Sequence, residues 1–499
     1  MVASPVVEYL VGKKAEEIKP EFLAFLANLE VVSRVSPPVA KAVIDELEAQ
    51  RTNLKLIASE NYSSLSTQFA MGNLLTDKYA EGFPGHRFYA GCENVDAVES
   101  LAATEACKLF GCDHAYVQPH SGADANLVAY WAILSARVEM PALEDLGETN
   151  LSKLTAQQWE SLRVRMGNQR LLGMDYYSGG HLTHGYRNNV SARMFQAFTY
   201  TVDRDTGLLD YAAIEKQALE VRPLILLAGY SAYPRAINFR KMREIADRAG
   251  AVLMVDMAHF AGLVAGGVFT GDYSPFPFAQ VVTTTTHKTL RGPRGGVVLC
   301  SGEFADAVDR GCPLVLGGPL PHVMAAKAVA FVEANRPEFK AYAGKIVENS
   351  RAMVEECLRL GMRVATGGTD NHLFLIDVSP FGITGRQAES ALRQCSITLN
   401  RNALPFDPNG PWYTSGLRVG TPAVTTLNMG REEMKEIASI IRLVLDNTNP
   451  LTAGGAKSQA KYEVDPKAEA EAKGRVRAVM SQYPVYPEID LDFLKKHFR

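Results

Sequence analysis

The sequence predicts an α/β protein in which helices flank a mainly parallel, seven-stranded sheet, preceded by a helical arm and followed by a smaller α+β domain. Three observations carry this prediction. From about residue 95, short apolar runs alternate with segments of helical periodicity, which is typical of a parallel sheet. One of these runs, residues 281–286, contains only Val and Thr, and Gly292 and Pro293 force a loop soon after it. With 499 residues, the chain can form roughly two or three domains.

The first two thirds of the chain predict an arm and a large domain. Residues 1–50 mix polar and apolar positions at helical spacing, so we expect a helical arm over residues 1–60. We expect the large domain over residues 61–335, with strands at residues 115–118, 171–175, 195–202, 224–229, 252–256, 279–286 and 296–300. Helices are expected at residues 96–109, from Ser121 onwards, and at residues 240–248, where Gly250 ends the helix.

The last third predicts the smaller domain, over residues 336–499. A long helical stretch at residues 319–350 should lead into it, and strands are expected at residues 373–378 and 397–400. We expect a charged helix at residues 461–477 and a loop at residues 452–458, which are small and polar. The tail, residues 487–499, has no role that the sequence assigns.

Composition indicates a globular protein of the cytoplasm. Apolar residues make up 47% and charged residues 21%, and the net charge of -3 gives no reason to expect a nucleic acid or an anionic membrane as partner. The N-terminus lacks the pattern of a secretory signal, and no apolar run approaches the roughly 18 residues of a membrane span. Seven cysteines without a CxxC pair are typical of reduced thiols.

A lysine and an aspartate follow two apolar strands. Lys288 comes just after residues 281–286, at the place where open α/β sheets present catalytic groups, and Asp256 ends the strand before it. An amine there can shift its pKa and form a Schiff base, although Lys288 taken alone is more often a solvated strand-end lysine. Pyridoxal phosphate needs such a pair, because the lysine holds its aldehyde and the aspartate pairs with its ring nitrogen.

The sequence blocks around these residues resemble serine hydroxymethyltransferase, a family of fold-type I pyridoxal-phosphate enzymes. The resemblance rests on VDMAH from Val255, TTTHKTLRGPRGG from Thr284, LIASEN from Leu56, KYAEG from Lys78, QPHSG from Gln118, GGHLTHG from Gly179, GGTDNH from Gly367 and RVGTP from Arg418. It implies the fold-type I architecture, pyridoxal 5'-phosphate as cofactor and tetrahydrofolate as co-substrate. The implied reaction converts L-serine and tetrahydrofolate reversibly into glycine and 5,10-methylenetetrahydrofolate, through aldimine and quinonoid intermediates. Slow aldolase and racemase side reactions are also implied.

The resemblance assigns a cofactor site. A Ser-Gly turn between a strand and a helix can present backbone N–H groups to an anion, although such turns also occur without a ligand. The residues implied for the cofactor are Ser121, Gly122, Ala123, His181, Ser231, Asp256, His259, His287, Lys288, Tyr79, Gly317 and Gly318. Thr285 has an implied catalytic role, shared with Lys288, Asp256, His181 and His287, and Arg294 an implied structural one. Ala123 stands where the family generally has a hydroxyl, and residues 312–316 replace a glycine-rich segment.

Substrate and folate residues also follow from the resemblance. Arg418 is implied to hold the substrate carboxylate by two parallel hydrogen bonds, assisted by Ser59. Glu81 and Tyr89 are implied to bind substrate and act in catalysis from the partner chain, with Glu81 moving a proton. The implied folate residues are Tyr176, Gly180, Leu182 and Asn402, although Tyr176-Tyr177-Ser178 departs from the family's usual residues here.

The expected assembly is a homodimer or a larger oligomer with shared active sites, in which the arm wraps the partner subunit. We expect small-molecule substrates, no nucleic acid and no membrane as partners. Residues 136–170 include an extra block relative to the family, in which Thr155 and Gln158 fit the capping box of a short helix. A block of this length is usually a surface excursion or an interface element, and we favour the surface.

Three other functions stay open at this point. Asp256, His259 and His287 could hold zinc, but no further pair has metal-ligand spacing, so we expect no metal. A folate-independent aldolase or an aminotransferase is the nearest alternative, against which Asn402 and residues 179–181 argue. A non-catalytic pyridoxal-phosphate or RNA-binding relative would need a decayed site, yet its key residues are intact: Lys288, Asp256, His181, Arg418 and Glu81.

Overall fold

A seven-stranded sheet forms the centre of the large domain. The structure is a computed structural model that describes residues 4–453 and 456–499. The strands are β1 His114–Tyr116, β2 Arg170–Met174, β3 Gln196–Tyr200, β4 Ile225–Gly229, β5 Val252–Asp256, β6 Val281–Thr285 and β7 Gly296–Cys300. Their order in the sheet is β1-β7-β6-β5-β4-β2-β3. Strands β2 to β6 are parallel, and β7 is antiparallel to both of its neighbours. The predicted mainly parallel sheet is confirmed.

Successive side chains of a strand point to opposite faces of the sheet, and every residue of β4, β5, β6 and β7 is buried, so both faces of the central sheet are covered. On β5, Leu253 and Val255 join one apolar core, and Met254 joins the other. The first core is covered by the helices Glu93–Phe110, Tyr211–Val221, Phe239–Ala249 and Pro321–Ala334. The second is covered mainly by the helix Gly122–Leu134. Burial on both faces explains why β4 and β5 are continuous apolar runs in the sequence, whereas the edge strand β3 is partly exposed.

Local signals fix the ends of the helices. Gly250, which has a φ of 72°, ends the helix Phe239–Ala249 as predicted. The predicted helical stretch at residues 319–350 is two helices, Pro321–Ala334 and Pro337–Arg359. The break falls at Pro337, because proline lacks the N–H that a continuous helix needs and favours the first helical position.

The smaller domain is built on a four-stranded antiparallel sheet. Its strands are β8 Arg363–Val364, β9 Leu373–Asp377, β10 Asn400–Asn402 and β11 Gly416–Gly420, in the order β8-β9-β11-β10. The helices that share its core are Pro337–Arg359, Gly385–Gln394, Arg431–Asp446 and Pro466–Gln482. The strand predicted at residues 397–400 is divided, since Ile397–Thr398 pairs in parallel with Leu54–Lys55 and only the residues after it join the sheet.

The N-terminal helices pack on this smaller domain. They are Pro5–Leu10, Pro20–Val35 and Pro37–Thr52. Phe22, Leu26 and Ile44 are buried in the same apolar core as Val476 and Leu494 near the C-terminus. The helices that precede Ser59 in the chain are therefore held in place by the smaller domain of the same chain.

The structure corrects two predictions near the C-terminus. Residues 452–458 lie mostly in a hairpin of β12 Thr448–Ala453 and β13 Ala456–Val464, although residues 454 and 455 fall outside the described range. The helix predicted at residues 461–477 begins only at Pro466, which Asp465 caps. Strand β13 was missed because its period-two pattern consists of polar and small residues, with only Val464 buried at its end.

The tail forms a short helix, Leu491–Phe498, against the arm. Ile489 and Leu494 are buried, and Arg51 donates to the carbonyls of Val485, Tyr486 and Ile489 at 3.0, 2.5 and 2.9 Å. Ion pairs link Lys495 to Glu48, Lys496 to Glu8, and Arg499 to Asp45 and Glu48. The tail thus has a structural role that the sequence did not assign.

Two short helices lie within residues 136–170, where the sequence predicts an extra block. They are Met140–Asp145 and Ala156–Gly167. The predicted capping box is confirmed, since the N–H of Gln158 donates to Oγ1 of Thr155 at 3.3 Å and the N–H of Thr155 donates back to Oε1 of Gln158 at 2.9 Å. Leu162 alone is buried in the second helix, so most of that helix faces outward in this chain.

Candidate active site

A cavity of about 640 Å³ lies between the carboxyl edge of the large sheet and the smaller domain. Most of the predicted site residues line it: Ser59, Ser121, Gly122, Ala123, Tyr176, Gly180, His181, Leu182, Ser231, Asp256, His259, Thr285, His287, Lys288, Arg294, Asn402 and Arg418. They meet there because parallel strands end at one edge of the sheet. Ser121 follows β1, His181 follows β2, and Lys288 follows β6.

Asp256 ends β5 with its carboxylate buried and hydrogen-bonded. Oδ2 accepts from Nδ2 of Asn126 at 2.9 Å and from Nε2 of His184 at 3.1 Å, and Oδ1 accepts from the N–H of Ala258 at 3.0 Å. Burial alone would raise the pKa of this carboxyl, but the hydrogen bonds from His184 and Asn126 hold it well below its usual range. Asp256 therefore stays ionised and can pair with a cation in the cavity.

Lys288 brings an amine with a lowered pKa to the same cavity. Its carbonyl accepts hydrogen bonds from Nδ2 of Asn61 at 2.9 Å and from the N–H of Arg291 at 3.0 Å, which fix the loop after β6. Burial lowers the pKa of the amine to about 8, Asp256 opposes this, and Arg418 adds to it. A part of the Lys288 population is therefore neutral, and nucleophilic, near neutral pH.

Two histidines in the cavity wall, the half-buried His181 and the buried His259, are held in the neutral form. Burial lowers the pKa of His181 to about 4, and its Nδ1 accepts from the N–H of Thr183 at 3.2 Å. Burial also lowers the pKa of His259 well below its usual value, and its ring lies 3.1 Å from Nε2 of His372. Neutral rings can pack against a planar, apolar face of a ligand without bringing a charge to it.

The part of the cavity lined by residues 121–123 can bind an anion. The side chain of Ser121 caps the helix Gly122–Leu134, accepting from the N–H of Asp124 at 3.1 Å, so the helix N-terminus faces the cavity. A Cβ on Gly122 would lie 2.7 Å from Cγ2 of Thr285, so only glycine leaves this approach open. Nδ1 of His287 is buried and has no partner among the described residues. These features fit pyridoxal phosphate, whose phosphate and ring need donors and space here.

Arg418 lies on β11 of the smaller domain and points its guanidinium into the cavity wall. Nε donates to Oδ1 of Asn400 at 3.1 Å, and Nη1 donates to the carbonyl of Ser231 at 2.7 Å. Both partners are neutral, and burial lowers the pKa of Arg418 to about 10. A guanidinium has five N–H donors, so most of its donors stay available. A half-buried cation whose partners are neutral favours an anionic ligand in the cavity.

The predicted folate residues line one part of the cavity. Tyr176 lies in a short helical turn capped by Asp175, whose Oδ2 accepts from the N–H of Tyr177 at 2.8 Å. Nδ2 of Asn402 donates to the carbonyl of Ala403 at 2.7 Å. Leu182 is 42% exposed, so this part of the wall offers apolar surface to a flat ring.

Five predicted residues lie outside this cavity. They form a separate cluster: Tyr79, Glu81, Tyr89, Gly317 and Gly318. The Tyr79 hydroxyl lies 3.4 Å from Oε1 of Glu81, and the rings of Tyr79 and Tyr89 are 5.0 Å apart. Tyr79 is 57% and Tyr89 46% exposed, so within one chain these side chains face outward.

Several residues that support the site were not predicted. Asn126 and His184 hold Asp256, and His372 holds His259. His184 and His372 occur in two of the blocks that carried the resemblance, which is the signal that could have found them.

The structure does not bring the suggested zinc set together. Within the part of the chain described here, the one group of three potential metal ligands in mutual reach is His181, His184 and Asp256. His259 and His287 are not part of it. His184 and Asp256 in this group lie close together because His184 donates a hydrogen bond to Asp256.

Comparison with known proteins finds the same family that the sequence blocks resemble. A sequence model of the family described as serine hydroxymethyltransferase matches residues 32–152 and 159–441. The chain is 63% identical to a serine hydroxymethyltransferase of Treponema pallidum over 491 residues, which covers 98% of this chain and 86% of that protein. It is 57% identical to that of Salinispora tropica, covering 94% and 99%, and 55% identical to that of Mycolicibacterium smegmatis, covering 94% and 95%. Among the described residues, no helix is long and apolar enough to cross a membrane.

Proposed function

The chain belongs to the serine hydroxymethyltransferase family, and we propose that the cavity described above is its active site. The enzyme interconverts L-serine and tetrahydrofolate with glycine and 5,10-methylenetetrahydrofolate, which feeds one-carbon metabolism and glycine synthesis. Pyridoxal 5'-phosphate is its cofactor, and tetrahydrofolate is its co-substrate. One observation carries the assignment of the site: Asp256 at the end of β5, Lys288 in the loop after β6 and Arg418 on β11 line one cavity.

Lys288 is the residue to which we assign covalent attachment of the cofactor. When bound, pyridoxal phosphate supplies an electron sink for negative charge that develops at the substrate's α-carbon. The lowered pKa of Lys288, about 8, supports this role because the neutral amine is the nucleophile. The backbone N–H groups of residues 121–123 are assigned to the phosphate, at the N-terminus of the helix Gly122–Leu134.

Asp256 is assigned to the ring nitrogen. Because His184 and Asn126 keep its carboxylate ionised, Asp256 can hold a proton on that nitrogen and stabilise the positive charge. We assign the neutral ring of His181 to the face of the cofactor and His259 to its ring oxygen. We assign Ser231 to the cofactor as well. Its carbonyl also holds Arg418.

Arg418 and Ser59 are assigned to the substrate carboxylate. The free N–H groups of Arg418 can donate two parallel hydrogen bonds to a carboxylate, which orients the amino acid over the cofactor. Tyr176, Gly180, Leu182 and Asn402 are assigned to the folate, at the part of the cavity that they line. We expect slow aldolase and racemase side reactions from the same site.

The separate cluster around Glu81 supports a homodimer with shared sites. Glu81, Tyr79 and Tyr89 lie close together and outward, so a second subunit can receive them in its own cavity. Glu81 is assigned to proton transfer to and from the one-carbon unit. We also propose an arm at residues 1–60, a large domain at 61–335 and a smaller domain at 336–499, and a cytoplasmic location.

Folate dependence tests the proposed function directly. The purified protein, loaded with pyridoxal phosphate, should form glycine from L-serine at a rate that depends on tetrahydrofolate. The Lys288→Ala protein, matched in concentration, should lose this activity. Cleavage of serine that is equally fast without folate, or transamination as the main reaction, would overturn the proposal.

A further inference from the structure

Lys327 is a buried lysine that none of the roles above uses. It lies in the helix Pro321–Ala334, is 1% exposed, and does not line the cavity. Its Nζ donates to three backbone carbonyls, those of Val117 at 2.5 Å, Pro119 at 2.9 Å and Gly296 at 2.9 Å. Burying a charged group costs free energy unless hydrogen bonds or an opposite charge compensate for the lost water. A buried lysine with three carbonyl acceptors therefore indicates a specific role.

The three carbonyls belong to the two backbone segments that border the phosphate end of the cavity. Val117 and Pro119 lead from β1 into Ser121, the cap of the helix Gly122–Leu134. Gly296 begins β7 at the end of the loop that follows Lys288, and its N–H donates to the carbonyl of Pro119 at 2.9 Å. Lys327 therefore ties both segments together from behind the cavity wall.

The number of acceptors favours the charged form of Lys327. An ammonium group has three N–H donors and can serve all three carbonyls, whereas a neutral amine would place its lone pair against one of them. Burial lowers the pKa of Lys327 to about 7, while the carboxylates of Glu99 and Asp124 raise it. Asp124 lies in the first turn of the helix that faces the cavity, so a cation here offsets a negative charge beside an anion site.

We infer that Lys327 is a positioning residue for the phosphate of the cofactor. It fixes the backbone N–H groups of residues 121–123 toward the cavity, and its charge makes that end of the cavity more favourable for a phosphate dianion. The inference rests on the proposed function, in which these N–H groups bind the phosphate. It places a buried cation behind a wall in which the groups assigned to the phosphate are backbone N–H groups at a helix N-terminus.

The Lys327→Met protein tests the inference through ligand affinity. The apoprotein is titrated with pyridoxal phosphate and, separately, with pyridoxal, which lacks the phosphate. We expect the apparent Kd for pyridoxal phosphate to rise by roughly 10- to 100-fold, while the Kd for pyridoxal changes little. The stabilisation of the apoprotein by inorganic phosphate, measured as a Tm shift, should disappear. Equal losses for both aldehydes, or an unchanged Kd for pyridoxal phosphate, would overturn the inference.

Gly295→Ala is a second variant that retains the lysine, since Lys327→Met removes a donor from three carbonyls and can fail to fold. A methyl group at Gly295 would lie 2.4 Å from Cε of Lys327, so the ammonium must shift. We expect a selective loss of pyridoxal phosphate affinity of roughly 3- to 10-fold. Gly302→Ala is the matched control, because a methyl group there meets nothing within 4 Å.

Equal affinity of the Gly295→Ala and Gly302→Ala proteins for pyridoxal phosphate would show that the position of the ammonium does not matter, and the inference would be wrong. A wild-type protein without saturable pyridoxal phosphate binding would refute the proposed function instead. The two failures are therefore distinguishable.

Discussion

Nε2 of His184 donates a hydrogen bond to Oδ2 of Asp256 across 3.1 Å in the buried floor of the cavity. Nδ1 of the same ring accepts from the N–H of His181 at 3.3 Å, which fixes the ring orientation. His184 thus links the two residues that we assign to the nitrogen and the face of the cofactor ring.

Replacing His184 with leucine should move the acid limit of activity to higher pH. The pKa of Asp256 in the folded protein is depressed, partly by His184, so Asp256 contributes stability above its unfolded pKa that is lost as the pH falls toward the folded value. Without this donor the folded pKa rises, and protonation begins at a higher pH. The pH profile of kcat/KM for serine measures the shift. A profile that coincides with the wild type would contradict this prediction.

Attachment of pyridoxal phosphate should follow the titration of Lys288. Because the neutral amine attacks the aldehyde and its pKa is lowered to about 8, the rate of reconstitution should rise with pH and level off above about pH 8. Stopped-flow absorbance of apoprotein mixed with cofactor gives the profile. Borohydride reduction and mass spectrometry should then place the cofactor on Lys288. A label on another lysine, or a rate that still rises at pH 10, would refute the assignment.

Arg418→Lys should weaken serine binding while the cofactor stays bound. The substitution keeps the charge but removes the planar pair of donors, and hydrogen bonds to charged groups contribute about 1.5–3 kcal/mol. We expect kcat/KM for serine to fall by roughly 10- to 100-fold. Arg401→Lys is the control, because Arg401 also lines the cavity but pairs with Glu389 at 2.9 Å. Its KM for serine should change little. An unchanged KM in Arg418→Lys would show that another residue holds the carboxylate.

Some of the features on which these predictions depend could be predicted from the sequence, and others could not. The central strands β5 and β6 are buried on both faces and were predictable as runs of β-forming residues, and Asp256 and Lys288 stood out because one ends such a run and the other comes soon after one. The hairpin that includes β13 was not predictable, since its alternation lies in polar residues. The role of Asn126 toward Asp256 depends on a contact across 130 positions of the chain, which local pattern does not encode.

Removal of the tail, residues 487–499, should destabilise the arm. Ile489 and Leu494 are buried, and a fully buried side chain of this kind contributes roughly 1.5–3 kcal/mol. We expect a lower Tm and faster proteolysis within residues 1–60, measured by thermal denaturation and timed digestion. Lys496→Ala is the control, because its pair with Glu8 is exposed and solvent screening makes such a pair contribute little to stability. A truncated protein with wild-type Tm would show that the arm does not depend on the tail.

Glu81→Gln should separate one-carbon transfer from cofactor binding. Glutamine keeps the size and hydrogen bonds of glutamate but carries no titratable proton, and general acid–base catalysis contributes typically 10²–10⁴-fold. We expect cofactor and glycine binding to persist and folate-dependent transfer to fall by about this factor. Folate-independent cleavage of bulky β-hydroxy amino acids should suffer less. Transfer at a near wild-type rate would mean that the proton comes from another group.

A mixture of Lys288→Ala and Glu81→Gln subunits tests whether Glu81 serves the neighbouring chain. Within one chain, Glu81 and its neighbour Tyr79 lie outside the cavity that Lys288 lines. If they serve the partner, a hybrid dimer has one site in which both Lys288 and Glu81 are intact and one site that lacks both. Activity should therefore return when the two inactive proteins are unfolded together and refolded, and a tag on one subunit identifies the hybrid. Homodimers of each variant, treated in the same way, are the control. Isolated hybrids without activity would place both residues in a site formed by a single chain.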